Sequence, residues 1–405
     1  MTADGEGVVR ATTIAGIALA SALVPLNSTM IAVALPEIGT DFGISTRQAS
    51  VLVTVYLVAM LVGQPLAGRV CDALGARRVA TIATTGFGIC SAAAMLAGSF
   101  WLLVAFRALQ AAFASALIPS VGAMLRDLIP APQRGRAFGV QGSVIGVGAG
   151  LGPVIGGLVV AAFGWRAIFG VNLPVVLVVL YVLHRRVAAS AGPGHEEVPV
   201  PFEGSDPLFN RVFGAAFATQ ALSTLAQYAL LLAIPIVLDS RGWSAAGTGI
   251  CLSFLTVGMV VMGPYGGRLG DRLGRRRPVV VGLCIALVAV LGSAVGGDDV
   301  SSAVLVITLL LFGLGLGVAT PSVMTAGIEA APLARTGSAA GVLSASRYVG
   351  SIASTFVLAG VVADDGGGLS TLLVVSAAGL ALSVAAASRL PGRRQVPLVA
   401  VAEVA

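Results

Sequence analysis

One charged segment of fourteen residues occurs twice in the chain, and it constrains the fold more than any other feature. Pro65–Arg78 recurs as Pro264–Arg277, 199 residues later, with eight identical positions. Both copies lie between long apolar segments, so each is a short charged turn between two apolar elements. A turn repeated in this way predicts a chain of two pseudosymmetric halves that run in the same direction.

The apolar segments have the length that a lipid bilayer requires. Of the 405 residues, 57% are hydrophobic and only 10% are charged, whereas soluble domains carry about 25% charged residues. Apolar runs of about 20 residues alternate with short charged or glycine- and proline-rich joints, as the thickness of the hydrocarbon core demands. We therefore predict an all-α membrane protein with twelve transmembrane helices in two pseudosymmetric six-helix bundles. In chain order, the first six predicted spans are about Ala11–Leu35, Ala49–Val70, Val79–Ala97, Trp101–Leu125, Ala137–Ala162 and Ala167–Leu183, and the last six are about Val212–Leu238, Ala245–Gly270, Val279–Gly296, Ser302–Ala326, Ser338–Ala363 and Leu369–Ser388.

A segment rich in glycine, proline and acidic residues divides the chain near its middle. It is too short for a further pair of spans, and its composition is typical of a flexible linker. The predicted organisation is an N-terminal six-helix bundle at 1–187, a cytoplasmic linker at 188–208, a C-terminal six-helix bundle at 209–389 and a cytoplasmic tail at 390–405.

The placement of arginine predicts the orientation of the chain in the membrane. Nineteen arginines lie in one set of joints and in the tails, whereas the opposite joints hold three, Arg47, Arg166 and Arg241. Because positive charge accumulates on cytoplasmic loops, both termini are predicted to be cytoplasmic. The lysine-free composition, rich in alanine, glycine, valine and arginine, suggests a GC-rich bacterium. We therefore expect a multi-pass protein of the bacterial inner membrane.

Membrane orientation also explains the net charge of +6, which in a soluble protein would suggest a nucleic-acid partner. The expected partners are instead the lipid bilayer and a small-molecule substrate, and the chain is expected to work as a monomer. The four cysteines lie in or beside apolar runs without metal-ligand spacing, and the two histidines flank the linker. We expect no metal, no cofactor and no enzymatic activity, and a proton is the candidate coupling ion.

The repeated turn resembles the loop 2–3 signature of the major facilitator superfamily. In the first copy, Gly68 allows close approach of another helix, Asp72 is suited to cap the N-terminus of span 11, and Gly75 permits a tight reversal. The resemblance implies a conformational latch between the two halves, which Asp127 at the end of span 4 would join. The predicted latch residues are Gly68, Asp72, Gly75, Arg77, Arg78, Asp127, Gly267, Asp271, Gly274 and Arg276.

Span 5 resembles the antiporter signature of the same superfamily. The residues at its fixed positions are Gly139, Gly148, Gly152, Pro153, Gly156 and Gly157. Three of these glycines are spaced by four residues, which predicts a flat helix face for close packing, and the proline allows a bend. The resemblance implies an exporter rather than an importer.

Three further segments resemble the drug:proton antiporter group typified by fourteen-span multidrug exporters. They are Leu26–Pro36, Trp165–Pro174 and Gly341–Gly350. The chain departs from that group because it lacks two additional central spans and because Asn27 stands where an acidic residue is usual. No acidic residue lies clearly at mid-membrane in the predicted spans, so the ordinary carboxylate proton carrier is missing.

Two arginines, Arg107 and Arg347, lie inside predicted spans, where a charge costs about 3 kcal/mol and should face a cavity. Polar residues of spans 1, 4, 7 and 11 accompany them, and the resemblance implies that these spans line the cavity. The predicted substrate or coupling residues are Asn27, Arg107, Gln110, Gln220, Gln227, Tyr228, Arg347 and Tyr348. Hydrogen bonding between helices is the alternative role of the same residues.

Together these features predict an exporter of a small amphipathic organic compound, a drug or natural product, that works by alternating access and secondary active antiport. Two buried arginines without a buried acid favour a neutral or anionic substrate over a lipophilic cation. A proton-independent facilitator or importer is the first alternative. The missing mid-membrane carboxylate favours it, whereas the antiporter signature of span 5 argues against it. The alternative from another class is a membrane receptor, which would need a soluble effector domain that the sequence does not show, or a membrane scaffold, which does not explain the duplicated turn.

Overall fold

The computed structural model describes residues 11–49, 51–187, 208–243, 245–297, 300–363 and 369–392. Within these residues the chain forms twelve long helices and no β-strand, which confirms the predicted all-α architecture. The first half contains α1 (Ala11–Asp41), α2 (Val51–Leu74), α3 (Ala76–Met95), α4 (Phe100–Ala114 and Leu117–Leu128), α5 (Arg134–Phe163) and α6 (Ala167–Gly170, Asn172–Val182 and the π-helical Leu183–Val187). The second half contains α7 (Arg211–Ser240), α8 (Ala245–Leu273), α9 (Arg276–Ala294), α10 (Ser302–Ala330), α11 (Thr336–Ala363) and α12 (Leu369–Ala387).

Most of these helices have the length and composition of membrane spans. Among the described residues, eight are apolar enough to cross a membrane alone, and α5 qualifies as a bent helix whose two parts meet at 42°. The bend lies at Pro153, which has no amide hydrogen to donate to the preceding turn. The three others, α3, α7 and α11, are 20, 30 and 28 residues long.

The predicted linker and tail fall almost entirely outside the described residues. Residue 208 is the described part of the linker at 188–208, and 390–392 are the described part of the tail at 390–405. The boundaries of the four predicted domains therefore stay predictions.

The two sets of six helices meet along two helix pairs that the repeat relates to one another. α2 packs against α11, and α5 packs against α8. Glycines form both contacts, because a methyl group at Gly68 would overlap the backbone of Gly337, and one at Gly267 would overlap the backbone of Gly135. Small residues let helix backbones approach closely, so both pairs are tightly packed at one end of the bundle. We call this end the hairpin side, since it carries the α2–α3 and α8–α9 turns.

The two turns on the hairpin side share one backbone feature. Gly75, between α2 and α3, has a φ of 83°, and Gly274, between α8 and α9, has a φ of 84°. Residues with a side chain are strained at these φ values, whereas glycine is not. Backbone geometry therefore explains why glycine occupies this position in both copies of the repeat.

Candidate functional site

Asp72, near the end of α2, lies against the first turn of α11 on the hairpin side. Its carboxylate accepts hydrogen bonds from the backbone amides of Gly337 (2.5 Å) and Ser338 (2.9 Å), and from the Ser338 hydroxyl. Amides in the first turn of a helix have no partner within that helix, and negative charge is favoured there. Asp72 therefore joins the two halves of the chain by capping a helix of the other half.

Asp271, the repeat of Asp72, makes the corresponding contact between α8 and α5. Its carboxylate accepts hydrogen bonds from the backbone amides of Gly135 (2.8 Å) and Arg136 (2.9 Å) at the start of α5. The hairpin side is thus closed by two pseudosymmetric caps, one from each half of the chain.

The cap at Asp271 also carries a network of ion pairs. Arg275 lies 2.8 Å from Asp271 and 3.2 Å from Glu329, and Arg134 lies 3.7 Å from the same Glu329 carboxylate. The Arg275 side chain is buried, whereas the Arg276 side chain is exposed. In this copy Arg275 therefore lies in the ion-pair network, whereas the predicted latch residue Arg276 makes none of these ion pairs. The chain turns into α9 at this point, which directs Arg276 towards solvent.

The remaining charged residues predicted for the first latch lie at the surface of the hairpin side. Arg77 is half-buried, and Arg78 and Asp127 are exposed. The hydrogen bonds that Asp72 accepts come from α11, and the positive charges of Arg335, just before α11, and of Arg126, at the end of α4, both act on it. The structure therefore partners Asp72 with the opposite half of the chain.

Arg126, at the end of α4, makes a third contact between the halves that the sequence analysis missed. Its buried guanidinium donates to the carbonyl oxygens of Ile328 (2.7 Å) and Ala331 (3.0 Å) and to the Thr336 hydroxyl (2.9 Å). The two carbonyls lie at the C-terminal end of α10, where a cation is favoured. α10 repeats α4 at an offset of 202 residues, since Pro119–Val121 recurs as Pro321–Val323. The position equivalent to Arg126 is therefore Ile328, so the repeat gave no signal for this contact.

The glycine stripe of α5 lies against α1. A methyl group at Gly148 would come within 2.8 Å of the Ala22 carbonyl oxygen, and one at Gly156 within 3.0 Å of the Met30 Cα. A methyl group at Gly152, one turn from each of these glycines, would overlap the hydroxyl of Thr29 on α1. The predicted flat face therefore lets the backbones of α1 and α5 approach closely within one half of the chain.

The other residues of the span 5 signature have different surroundings. Gly139 faces α8, where a methyl group would overlap the backbone of Gly263, and so it belongs to the contact between the halves. A methyl group added at Gly157 would make only an ordinary van der Waals contact, because the nearest atom, on the Val33 side chain, lies 3.9 Å away. Pro153 lies at the bend of α5.

Inside the first half, three of the predicted substrate residues form one buried network. The Arg107 guanidinium on α4 donates through Nη1 to Oδ1 of Asn27 on α1 and to Oε1 of Gln110 at 2.7 Å. Gln110 in turn donates from Nε2 to the Ser91 hydroxyl on α3 at 2.6 Å. Arg107 and Gln110 have no exposed surface, and Asn27 is 4% exposed. The network therefore ties α1, α3 and α4 together around one buried cation.

Several donors of this network have no partner. Nε and Nη2 of Arg107 and Nδ2 of Asn27 make no hydrogen bond within the described part of the chain. The Tyr56 ring lies under the guanidinium at 4.2 Å, and its hydroxyl donates to the Val24 carbonyl oxygen at 3.0 Å. Each unsatisfied buried donor costs about 1–3 kcal/mol, and more when it is charged. Sequence reasoning missed Tyr56, although a tyrosine among the apolar residues of the first half of α2 indicates a buried hydroxyl that needs a partner.

Further polar residues extend from this network into the second half of the chain. Tyr348 on α11 packs against the apolar cluster that contains Tyr56. Arg347 is near enough to Tyr228 and Tyr348 for its charge to act on both hydroxyls. The side chains of Arg347 and Tyr348 are half-buried, and that of Tyr228 is 41% exposed. The structure therefore places Asn27, Arg107 and Gln110 in one group of the first half and Tyr228, Arg347 and Tyr348 in a second group, and the two groups meet where Tyr348 packs against the cluster of Tyr56. We call these six residues the polar path.

The two predicted glutamines of α7 lie apart from this path. Gln220 donates to the Thr224 hydroxyl of its own helix at 3.3 Å. Gln227 contacts the Met259 sulfur on α8 at 3.6 Å. In this conformation both glutamines serve the packing of the second half rather than the contact with the first.

The opposite end of the bundle, the outer end, carries a polar cluster of its own. Arg166 donates to Asp41 at 2.7 Å and lies over the Trp165 ring at 4.3 Å, and the Trp165 indole donates to Asp41 at 3.0 Å. The hydrogen bond from Arg166, with the smaller contribution of the Trp165 hydrogen bond, holds the pKa of Asp41 below its ordinary value. Glu37 accepts from the Trp165 amide at 3.3 Å. This cluster fixes the α5–α6 joint to the end of α1.

Comparison with known families identifies the fold. Residues 17–355 match the sequence profile described as Major Facilitator Superfamily. The chain belongs to the major facilitator superfamily. As a member of that superfamily it is a multi-pass membrane transporter and not an enzyme, which confirms the prediction from the duplicated turn.

Individual relatives of this major facilitator protein are named for drug resistance and for transport. It is 27% identical over 401 residues to the tetracenomycin C resistance and export protein of Streptomyces glaucescens, covering 85% of this chain and 74% of that protein. It is 27% identical over 393 residues to multidrug resistance protein Stp of Mycobacterium tuberculosis, covering 84% and 73%. It is 26% identical over 341 residues to the riboflavin transporter RibZ of Clostridioides difficile, covering 72% and 75%.

A solved structure shares the fold. The chain superposes on the proton:xylose symporter XylE with a TM-score of 0.75 and 15% sequence identity, covering 94% of this chain and 96% of that one. This likeness confirms the all-helical major facilitator fold.

Proposed function

We propose that this transporter exports a small amphipathic organic compound by alternating access. The observation that carries the proposal is the polar path inside an apolar bundle, because Arg107 lies over Tyr56 in one half and Tyr348 packs from the other half against the cluster that contains Tyr56. Polar and charged groups inside a membrane protein mark pathways for substrates or ions. The names of the tetracenomycin C and multidrug resistance relatives support export as the direction.

In the proposed cycle the hairpin side opens and closes between the two halves. The caps at Asp72 and Asp271 hold it closed in the described conformation, and their release would expose the polar path from that side. The arginine-rich hairpin side would face the cytoplasm of a bacterial inner membrane, with both termini on that side. Gln220 and Gln227 would reach the substrate in another state of the cycle. One chain supplies both halves, so we propose that a monomer is functional.

The charge of the path favours a neutral or anionic substrate over a lipophilic cation. Neither Arg107 nor Arg347 has an ion pair with a carboxylate in the described residues. A cationic drug would meet two positive charges there without a counter-charge, which is unfavourable in a medium of low dielectric constant.

The energy source has two candidates. Secondary active antiport, with a proton as the counter-ion, agrees with the span 5 signature and with the drug-resistance relatives. A proton-independent facilitator is the second candidate, which one observation favours: the position of the usual acidic residue is Asn27, whose side chain cannot ionise. Under the first candidate a group other than a mid-membrane carboxylate would carry the proton.

Resistance of a pump-deficient bacterial host tests the proposed export. The host would express the full chain, or an empty vector, and would be challenged with acidic, neutral and cationic antimicrobial compounds at equal hydrophobicity. We expect resistance to some acidic or neutral compounds. Resistance to cationic dyes that exceeds resistance to acidic compounds would contradict the proposed substrate charge, and unchanged sensitivity to every compound would contradict export.

A further inference from the structure

We infer that the substrate carries a carboxylate or a similar planar oxyanion, and that Arg107 and Asn27 bind it. The inference rests on the proposed export function and specifies the substrate class of the same site.

The free donors of Arg107 form one edge of its guanidinium. Nη1 is occupied by Asn27 and Gln110, whereas Nε and Nη2 have no partner among the described residues. The Nε–H and one Nη2–H bond point in parallel from the same edge of the planar group. This edge is the one that binds two oxygens of a carboxylate side by side. The unsatisfied donors are therefore arranged as a bidentate anion site and not scattered over the side chain.

Neighbouring side chains hold this edge in place. Tyr56 stacks on the guanidinium face at 4.2 Å, and the hydrogen bond from its hydroxyl to Val24 fixes the ring. Gln110 and Asn27 hold Nη1, so rotation of the guanidinium in its plane is restrained. Nδ2 of Asn27 supplies a third unpartnered donor in the same network. Three free donors and a restrained plane form a site for an anion before the anion arrives.

Asparagine at position 27 keeps the site positive. Its oxygen accepts from Arg107 as a carboxylate would, but it adds no negative charge. The charge of Arg107 is therefore left without a counter-ion in a part of the bundle closed to solvent. An anionic substrate that enters from the path would supply that counter-ion, whereas an aspartate at this position would supply it permanently.

Matched pairs of compounds test the inference with purified full-length protein in detergent. Each pair consists of an aromatic carboxylic acid and its primary amide, such as 1-naphthoic acid and 1-naphthamide, over a range of ring sizes. Binding is measured as the concentration dependence of the unfolding temperature at pH 7.5 and constant ionic strength. We expect at least one acid to bind ten times more tightly than its amide. A protein that responds to no acid, or equally to acids and amides, would overturn the inference.

Variants locate the binding group. Arg107→Gln should abolish the preference for the acid, and Arg389→Gln, which removes an exposed arginine at the end of α12, should leave it unchanged. If Arg107→Gln does not fold, Asn27→Asp provides the decisive variant, because it keeps the acceptor for Nη1. The added carboxylate should neutralise the site and lower the acid-to-amide ratio to about one. Retention of the wild-type ratio by Asn27→Asp would overturn the inference.

Vesicle transport separates failure of this inference from failure of the proposed function. Uptake of neutral compounds into everted vesicles, without a preference for acids, would overturn the carboxylate site and leave export intact. Absence of any uptake, with acid binding retained by the purified protein, would contradict export and leave the anion site standing.

Discussion

Asp72 and Ser338 lie 266 residues apart in the chain and are joined on the hairpin side by two hydrogen bonds, one from the backbone amide and one from the hydroxyl of the serine. Asp271 repeats the relationship at the start of α5. Each half thus contributes one carboxylate that caps a helix of the other half. Each cap contributes only about 1 kcal/mol through the charge at the helix N-terminus, so the hairpin side can close and open reversibly.

The cap at Asp72 should control transport more than folding. Asp72→Asn keeps the size of the side chain but removes its charge, which weakens the interaction with the α11 N-terminus by about 1 kcal/mol. We expect the transport rate per molecule to fall several-fold, with a smaller loss of protein in the membrane. The rate in vesicles, normalised by quantitative immunoblotting, measures this effect. Wild-type transport by Asp72→Asn at equal abundance would rule out the role as a latch.

The two neighbouring arginines at the α8–α9 turn should differ in their importance. Arg275→Gln leaves Asp271 and Glu329 with less compensation in a mostly buried network, so we expect a loss of about 2–3 kcal/mol. Arg276→Gln changes an exposed side chain and should alter the free energy of unfolding by less than about 0.5 kcal/mol. Denaturant unfolding in detergent compares them. Equal losses in the two variants would show that the ion-pair network is not important.

Two glycines of the span 5 signature should respond oppositely to alanine. Gly148→Ala places a methyl group 2.8 Å from a backbone oxygen of α1, which cannot move away alone, and we expect destabilisation of about 1–3 kcal/mol. Gly157→Ala meets ordinary van der Waals space, and alanine favours the helix by up to about 1 kcal/mol. The difference in unfolding temperature between the variants is the measurement. A Gly148→Ala protein as stable as Gly157→Ala would contradict the close packing of α1 and α5.

The cluster at the outer end should give stability a defined pH dependence. Asp41 lies beyond Ile14–Ile31, the membrane-spanning part of α1, and its pKa is lowered from 3.8 chiefly by the hydrogen bond from Arg166. A carboxyl with a depressed pKa in the folded state contributes stability above its unfolded pKa and loses it as pH falls through the folded value. The gap in unfolding temperature between wild type and Asp41→Asn should therefore be constant above about pH 5 and shrink below pH 3.8. A gap that widens towards acid would contradict this linkage.

The fold was predictable because the sequence repeats itself in a membrane-like pattern. The fourteen-residue turn established duplication and parallel halves, and the length of the apolar runs established helices. Gly68 and Gly267 of the repeated turn, and Gly148 and Gly156 of span 5, marked close backbone approaches, because glycine leaves the most room between helices. The sequence also indicated which helix end Asp72 would face, and the structure places the carboxylate at that end.

The charged contacts were less predictable because pairing depends on where each chain segment turns. The repeat aligns Arg276 with Arg77 of the first copy, whereas the arginine that the structure buries, Arg275, aligns with Ala76. Arg126 was missed because its acceptors are backbone carbonyls, which no sequence pattern displays. Likewise, the sequence placed Asn27, Arg107 and Gln110 in neighbouring spans, but it could not show which guanidinium donors remain free.

Transport into everted membrane vesicles tests export most directly. Vesicles from cells that express the wild-type chain would be supplied with a compound to which the chain confers resistance, with an imposed inside-acid pH gradient or with that gradient collapsed. We predict accumulation inside these vesicles above the level of empty-vector and Asp72→Asn vesicles. If a proton is exchanged, accumulation should be faster with the pH gradient than without it. If the transporter is a facilitator, the two rates should be equal. Accumulation no greater than in empty-vector vesicles would contradict export.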